Sequence, residues 1–345
     1  MKILLVKLSS LGDIVHTLPV VQDICAAFPG AQIDWVVEQS FASLLERQPQ
    51  LHRSIGCKIR RWSKSPLAAT TRAEWRSFKA ELQRERYDAV IDLQGLTKSA
   101  VVSWLARLAP GGKRYALANQ TEGSGYEAPT RWLADVAIRI KPHIHAVERG
   151  RELAAKALNY SFKPEPNFGL RSFNSANAAS YADSTPAQPE RIAFVHGTSR
   201  ADKEWPMAHW LALGLRFNAA GMQIVLLHGN AAELATSQAM ADCFNSSQLQ
   251  AGQYPAAVVM PLLALNTLCD ELAGCAGVIG VDSGVSHIAV ALDLPHVQLY
   301  NFDTAWRTGP VSFPAAKPSR QLSVYGLPVP EVAAVWQAWQ CAAQA

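Results

Sequence analysis

Residues 2–19, KILLVKLSSLGDIVHTLP, decide the fold, because an apolar strand runs through a small polar turn into a helix. Residues 277–295, GVIGVDSGVSHIAVALDLP, repeat this arrangement late in the chain. In open parallel sheets, ligands bind beyond the carboxyl ends of the strands. Two such turns, in separate halves, therefore predict two domains that face one shared cleft.

Chain length and charge indicate the number of domains and the kind of ligand. The chain has 345 residues, of which 49% are hydrophobic and 17% charged, as expected for two globular domains. Residues 1–160 contain 23 Lys and Arg against 15 Asp and Glu, whereas residues 161–345 contain 9 against 13. The basic first half indicates an anionic partner, such as a phosphorylated or carboxylated ligand, a nucleic acid or a membrane surface. A solvated surface rich in arginine would explain the same charge.

Cysteine spacing and hydropathy indicate the compartment. The six cysteines show neither a Cys-x-x-Cys pair nor a histidine spacing suited to zinc, so we expect buried, reduced thiols. The first apolar run stops at Lys7, which is too early for a signal peptide. The longest other run, residues 255–265, is too short to span a bilayer. We expect a cytoplasmic protein with at most peripheral contact with the inner membrane.

Short apolar runs alternate with helical patterns in both halves, which predicts an α/β fold with two doubly wound parallel sheets. The predicted strands are residues 3–6, 33–37, 55–59, 89–93, 192–196, 223–227, 258–260, 277–281 and 296–299. The predicted helices are residues 15–28, 72–86, 97–108, 145–158, 208–219, 232–244, 264–273, 285–292 and 331–343. The expected organisation is a first domain over 1–165, a linker over 166–190, a second domain over 191–325 and a C-terminal segment over 326–345.

Asp13 is the main candidate in the first half. It is predicted to lie two or three residues before a helix, where a carboxylate can cap the helix or act as a general base, and both roles are compatible. Gly12 allows close approach of a ligand, and Ser10 adds a donor. Further along, RSIGCKIRRWSK (residues 53–64) concentrates cations after a strand, which suits a carboxylate or phosphate as well as a solvated loop.

The second half offers three groups of candidates for a diphosphate-linked ligand. Thr198, Ser199 and Lys203 form a hydroxylated turn followed by a lysine. The segment from Asp282 to His287 includes Ser283 and Gly284, whose amides would open a helix, where its dipole favours an anion. Glu233 follows another strand and suits either a ribose diol or the charge at a helix N-terminus.

Two absent motifs narrow the chemistry. No Asp-x-Asp triplet occurs, so a metal that bridges a nucleotide-sugar diphosphate is not indicated. No Gly-x-Gly-x-x-Gly follows the first strand, which argues against a nicotinamide or flavin enzyme. We therefore expect neither a metal nor a cofactor.

Several segments together resemble a known family, in order, over nearly the whole chain. They are KLSSLGDIVHTLP, DWVVEQSFA, IRRWSK, YDAVIDLQGLTKSA, HAVERGREL, GTSRADKEWP and GVDSGVSHIAVALDLP. The chain resembles the bacterial lipopolysaccharide heptosyltransferases of glycosyltransferase family nine. DWVVE and IRRW favour the first heptosyltransferase of the pathway over the second.

The resemblance implies a GT-B fold, with the acceptor on the first Rossmann-like domain and ADP-heptose on the second. It implies transfer of L-glycero-D-manno-heptose to the first Kdo of Kdo2–lipid A, with inversion and without metal, by a monomer that binds no nucleic acid. It also implies that the C-terminal helix packs back on the first domain.

By resemblance, Asp13 is the general base, and Lys203 stabilises the leaving diphosphate. The implied donor contacts are Thr198, Ser199, Lys203, Glu233, Asp282, Ser283, Gly284 and His287. The implied acceptor contacts are Ser10, Gly12, Arg60, Arg61 and Lys64.

One segment departs from the family. Where the family often has an Arg-Glu pair in a basic acceptor loop, this chain has Tyr126-Glu127. Two rivals remain open: another heptosyltransferase of the same family, and a protein that binds a nucleotide-sugar without catalysis.

Overall fold

The structure, a computed structural model, describes residues 1–170, 189–246, 254–311 and 319–345. The chain forms two compact units, Met1–Gly169 and Leu170–Ala345. Most of the expected linker, residues 171–188, lies outside the described residues.

The first unit is built on a parallel sheet of six strands in the order β3-β2-β1-β4-β5-β6. Its strands are β1 (Lys2–Val6), β2 (Gln32–Glu38), β3 (Arg53–Cys57), β4 (Tyr87–Asp92), β5 (Leu108–Leu117) and β6 (Val136–Ile138). Its helices are α1 (Leu11–Ala27), α2 (Ala42–Leu45), α3 (Ile59–Trp62), α4 (Ala69–Leu82), α5 (Thr97–Leu105), α6 (Pro129–Trp132) and α7 (Ala146–Leu158).

The second unit has a parallel sheet of six strands in the order β12-β11-β10-β7-β8-β9. Its strands are β7 (Arg191–Val195), β8 (Gln223–Leu226), β9 (Ala257–Val259), β10 (Gly277–Val281), β11 (His296–Tyr300) and β12 (Gln321–Tyr325). Its helices are α8 (Met207–Ala219), α9 (Ala231–Ser246), α10 (Leu265–Ala273), α11 (Gly284–Ala291), α12 (Ala305–Thr308) and α13 (Val332–Gln344).

Both sheets confirm the predicted α/β class, and each of the nine predicted strands is present with ends within two residues. Strands β5, β6 and β12 were not predicted from the sequence. Strand β5 contains Pro110, Gly111 and Gly112, which interrupt its apolar pattern, and the register with β4 shifts there. Such residues usually mark turns, so the local signal was misleading.

The C-terminal helix belongs to the second unit. Val335, Trp339 and Ala342 of α13 are buried in the core of that unit, and α13 packs on β11, β12 and α8. Gly277 accommodates this packing, since a Cβ there would lie 2.4 Å from the Trp339 ring. The expectation that α13 also packs on the first domain stays a prediction.

The cysteines follow the expectation only in part. All six are free. Cys57, Cys269 and Cys275 are buried and Cys25 is half-buried, but Cys243 and Cys341 are exposed on α9 and α13. Within the described ranges, no helix is long and apolar enough to cross a membrane.

A buried ion cluster near the start of β2 and β3 ties the first sheet together. The Asp34 carboxylate, which is 2% exposed, accepts hydrogen bonds from Arg53 (2.6 and 3.1 Å) and from the Tyr87 hydroxyl (2.7 Å). His52 Nδ1 lies 2.8 Å from the same carboxylate. Burial raises the pKa of Asp34, but the hydrogen bonds from Arg53, Tyr87 and His52 outweigh it and leave the pKa below its usual value.

We expect Asp34→Ala to destabilise the protein by about 1–3 kcal/mol, because it removes the buried acceptor of Arg53 and Tyr87 and leaves Glu81 as the ion-pair partner of Arg53. Chemical denaturation measures this loss, with Asp88→Ala, at an exposed carboxylate, as the control expected to change little. Because the folded-state pKa of Asp34 is lowered, its contribution is present above the ordinary carboxyl pKa and is lost as pH falls through the folded value. Equal stability of both variants would contradict the assignment.

Candidate active site

The two sheets place the candidate residues at equivalent points. In each sheet, the strand order reverses between the first and fourth strands of the unit, β1 and β4 in one and β7 and β10 in the other. Ligands of open α/β sheets bind beyond the carboxyl ends of the strands at such a reversal. Asp13 follows β1, Lys203 follows β7, and Asp282 follows β10. Each unit therefore has candidate residues at its own switch point.

Asp13 lies inside the first turn of α1, three residues after the N-cap Ser10, and not before the helix as expected. Its Oδ2 accepts hydrogen bonds from the Ser10 backbone N–H (3.0 Å) and the Ser10 hydroxyl (2.9 Å). Gly12 also lies within this turn. The carboxylate thus caps the helix, as one of the two compatible interpretations held.

Two cations hold the other oxygen of Asp13. Lys7 Nζ lies 3.0 Å from Oδ1, and the Arg149 guanidinium from α7 lies 3.5 Å from it. Burial by itself raises the pKa of Asp13, but Lys7, Arg149 and the Ser10 N–H together hold it well below the usual range. The carboxylate is therefore ionised throughout the physiological range and fixed in orientation.

Lys7 and Arg149 are residues that the sequence analysis missed. Lys7 is 2% exposed, and burial lowers the pKa of its ammonium group despite the nearby Asp13. The sequence did contain a sign of the role of Lys7, because a lysine directly after an apolar strand is placed close to the polar turn that follows. Arg149 is 136 residues from Asp13 in the sequence, and no local pattern connects the two.

Strand β4 ends beside the same turn. Asp92 is buried, and its carboxylate accepts hydrogen bonds from the backbone N–H groups of Gln94 (2.9 Å) and Gly95 (3.2 Å). Burial raises the pKa of Asp92 to about 6, with these hydrogen bonds partly opposing it. Gln94 in turn accepts from the backbone N–H groups of Leu8 and Ser9, so the loop after β1 is fastened to the loop after β4.

The basic segment after β3 is partly occupied by internal partners. Arg61 pairs with Glu74, and the backbone N–H of Arg60 donates to Glu38 (2.9 Å). The Arg60 guanidinium lies 5.8 Å from the centre of the Phe41 ring. Lys64 is exposed and has no carboxylate within ion-pair distance in the described part of the chain. Lys64 is thus the cation of this segment most open to an external anion.

The loop that departs from the family has a structural role. The Glu127 carboxylate accepts a hydrogen bond from the backbone N–H of Thr97 (2.7 Å) at the first turn of α5. The Tyr126 hydroxyl donates to the carbonyl oxygen of Ala118 (3.0 Å). Both side chains fold the loop against the first unit.

In the second unit, a lysine, a carboxylate and a histidine form one cluster. Lys203 Nζ lies 2.5 Å from Asp282 Oδ2, and His287 Nε2 lies 3.4 Å from Asp282 Oδ1. Burial raises the pKa of Asp282, but His287 and Lys203 hold it well below its usual range. Asp282 is 6% exposed, and both of its carboxylate oxygens have partners within this cluster.

The turn after β10 opens a helix as expected. Ser283 is the N-cap of α11, Gly284 is its first residue, and His287 lies in its first turn. The free backbone N–H groups of this first turn favour an anion. Lys203, which is held against Asp282, adds a positive charge beside them.

A cleft of about 370 Å³ brings Thr198 and Glu233 together. Glu233 accepts hydrogen bonds from the backbone N–H of Gly229 (2.6 Å) and from the Asn230 amide (2.7 Å), so it also caps α9. Gly197 permits this approach, because a Cβ there would lie 2.5 Å from the Glu233 carboxyl carbon. Ser199 follows Thr198 in the same loop after β7.

Among the residues that the structure describes, no group of His, Cys, Asp and Glu side chains is arranged to hold an ion.

The chain is similar to known heptosyltransferases in sequence and in fold. Residues 75–323 match the profile described as glycosyltransferase family 9 (heptosyltransferase). The chain is 37% identical to lipopolysaccharide heptosyltransferase 1 of Escherichia coli over 305 residues, which cover 87% of this chain and 88% of that protein.

Two solved structures are similar over almost their whole length. The structure of the E. coli heptosyltransferase WaaC with ADP superposes with a TM-score of 0.80 and 31% identity, covering 98% of each chain. The structure of the same enzyme with ADP-2-deoxy-2-fluoro heptose gives a TM-score of 0.76 and 31% identity, again covering 98% of each chain.

Proposed function

Because the chain belongs to glycosyltransferase family 9 and is thus a heptosyltransferase of lipopolysaccharide synthesis, we propose that it makes the first heptose transfer. The donor is ADP-L-glycero-D-manno-heptose, and the acceptor is the first Kdo of Kdo2–lipid A. The attacking hydroxyl displaces ADP with inversion at the anomeric carbon.

In this proposal, the second unit holds ADP-heptose. Lys203, the first-turn amides of α11 and the hydroxyls of Thr198 and Ser199 bind the diphosphate, which gains negative charge as the glycosidic bond breaks. Glu233 accepts the ribose hydroxyls, and Asp282 and His287 line the heptose. The binding of a nucleotide-sugar is supported by the two similar solved structures, which contain ADP and ADP-2-deoxy-2-fluoro heptose.

The first unit contributes the base and the acceptor contacts. Asp13 accepts the proton of the attacking Kdo hydroxyl, while Ser10 and Gly12 shape the turn around it. Arg60, Arg61 and Lys64 hold the anionic acceptor. The observation that carries the proposal is the ionised, oriented Asp13 carboxylate at the switch point of the first sheet.

One assay tests the overall reaction. The purified protein is incubated with ADP-heptose and Kdo2–lipid A in the presence of EDTA, and the product is weighed by mass spectrometry. We expect a product heavier by one heptosyl residue, together with free ADP. Transfer only to an acceptor that already carries one heptose would identify a different member of the family. Binding of ADP-heptose without transfer to either acceptor would identify a non-catalytic protein.

The pH profile tests how Asp13 is tuned. In Arg149→Gln, one of the cations that lower the pKa of Asp13 is lost, so the acid limb of kcat/KM should move to higher pH. The sign follows because the base acts only when ionised, and its activity is lost as pH falls through its pKa. Arg139→Gln, at an exposed cation beyond β6, is the matched control. Superimposable profiles for Arg149→Gln and the wild type would refute this tuning.

A further inference from the structure

A pocket of about 640 Å³ in the first unit is lined by residues that have no part in the proposed transfer reaction. It is lined by the end of α3, the start of α4 and the loop between them. Trp62 and Trp75 form its apolar walls, and Arg72 and Arg76 lie among its lining residues. No role assigned above uses these four residues.

The walls of the pocket are fixed by aromatic packing. The Trp62 and Trp75 rings pack edge to face, with their ring centres 5.4 Å apart. The centre of the Phe78 ring lies 5.5 Å from that of Trp62 and 5.6 Å from that of Trp75. The Trp62 indole N–H donates to Glu74 (2.9 Å). The pocket is thus pre-formed, which lowers the entropic cost of binding an apolar group.

The surface around the pocket is cationic. Glu74 is already paired with Lys58 and Arg61. Arg72 and Arg76, in contrast, are exposed, and neither forms an ion pair within the part of the chain that the structure describes. Leu67, in the loop between α3 and α4, is 84% exposed. A phospholipid bilayer presents anionic phosphate headgroups above apolar acyl chains. Guanidinium groups without a carboxylate partner can bind the phosphates, and the neighbouring tryptophans and exposed leucine can contact the acyl chains.

We propose that this surface, the α3–α4 surface (Trp62, Leu67, Arg72, Trp75 and Arg76), docks the protein on an anionic phospholipid bilayer. Leu67 enters the headgroup region, Arg72 and Arg76 bind lipid phosphates, and the Trp62–Trp75 pocket receives an acyl segment. The proposal goes beyond heptosyl transfer and does not depend on it, because the ligand is the bilayer phospholipid and not the saccharide acceptor.

Vesicle flotation of the full chain tests the docking. We expect binding to vesicles of phosphatidylcholine with phosphatidylglycerol, little binding to phosphatidylcholine alone, and weaker binding as salt rises. Arg72→Glu/Arg76→Glu should weaken binding to the anionic vesicles by at least about tenfold, and Leu67→Ser should weaken it severalfold. These positions are exposed, so the variants should fold normally.

The matched control is Arg139→Glu/Lys141→Glu, which makes the same charge change beyond β6, at the opposite end of the sheet from β3. It should bind vesicles nearly as well as the wild type.

Equal losses in the control and in the Arg72/Arg76 variant would show that only net charge matters and would overturn the proposal. Binding only to vesicles that contain Kdo2–lipid A would also overturn it, since the surface would then serve the acceptor. Heptosyl transfer to a deacylated, soluble Kdo acceptor is measured in parallel, so that a failure of docking is distinguished from a failure of the proposed enzyme activity.

Discussion

Asp13→Ala is expected to lower turnover by at least about 10²-fold while leaving ADP affinity nearly unchanged. The carboxylate is held by Ser10 on one oxygen and by Lys7 and Arg149 on the other, so it is placed and ionised before any substrate arrives. Without it, the attacking hydroxyl has no group in this turn to receive its proton. Steady-state kinetics and ADP titration calorimetry measure the two quantities separately.

The controls separate chemistry from folding. Asp13→Ala also leaves the buried Lys7 ammonium without its carboxylate, which is destabilising. Asp13→Asn should lose as much turnover, because an amide cannot accept the proton. Lys7→Met/Asp13→Asn removes the buried pair together, and it should recover stability without recovering turnover. Near-normal turnover in a folded Asp13→Asn variant would remove Asp13 from the role of base.

Lys203→Ala is expected to weaken ADP-heptose binding and to lower turnover by about 10²–10³-fold, the range for loss of one preorganised group that stabilises developing charge. Part of the loss comes from Asp282, because its carboxylate would then face the diphosphate without the lysine that now lies 2.5 Å away. ADP affinity should therefore fall as well, in contrast to the expectation for Asp13→Ala.

A double-mutant cycle tests this explanation. If the exposed charge of Asp282 contributes, Asp282→Asn should recover part of the ADP affinity that Lys203→Ala loses, so the two changes should not be additive. Lys203→Arg, which keeps the positive charge, should retain more affinity than Lys203→Ala. Unchanged kinetics in Lys203→Ala would show that the diphosphate binds elsewhere.

Local patterns were sufficient for much of the fold. Strands such as Gly277–Val281 are short, apolar and bounded by turn residues, so their limits could be read from the sequence. Strand β5 could not, since its Pro-Gly-Gly segment has the composition of a turn, whereas Leu108 before it and Lys113–Ala116 after it pair with β4 across a register shift. Helix α13 was found by its periodicity, but the surface it covers depends on the fit between Trp339 and Gly277.

The class of fold, the family and the polar turns after β1, β7 and β10 could be inferred from the amino-acid sequence, because these depend on residues adjacent in the chain. The contacts that those turns make could be learned only from the folded structure. Arg149 reaches Asp13 across 136 residues, and Asp282 meets Lys203 across 79. The charge of a side chain is known from its residue type. The partner and the pKa of that side chain depend on burial and distance, which arise only when the strands assemble into a sheet.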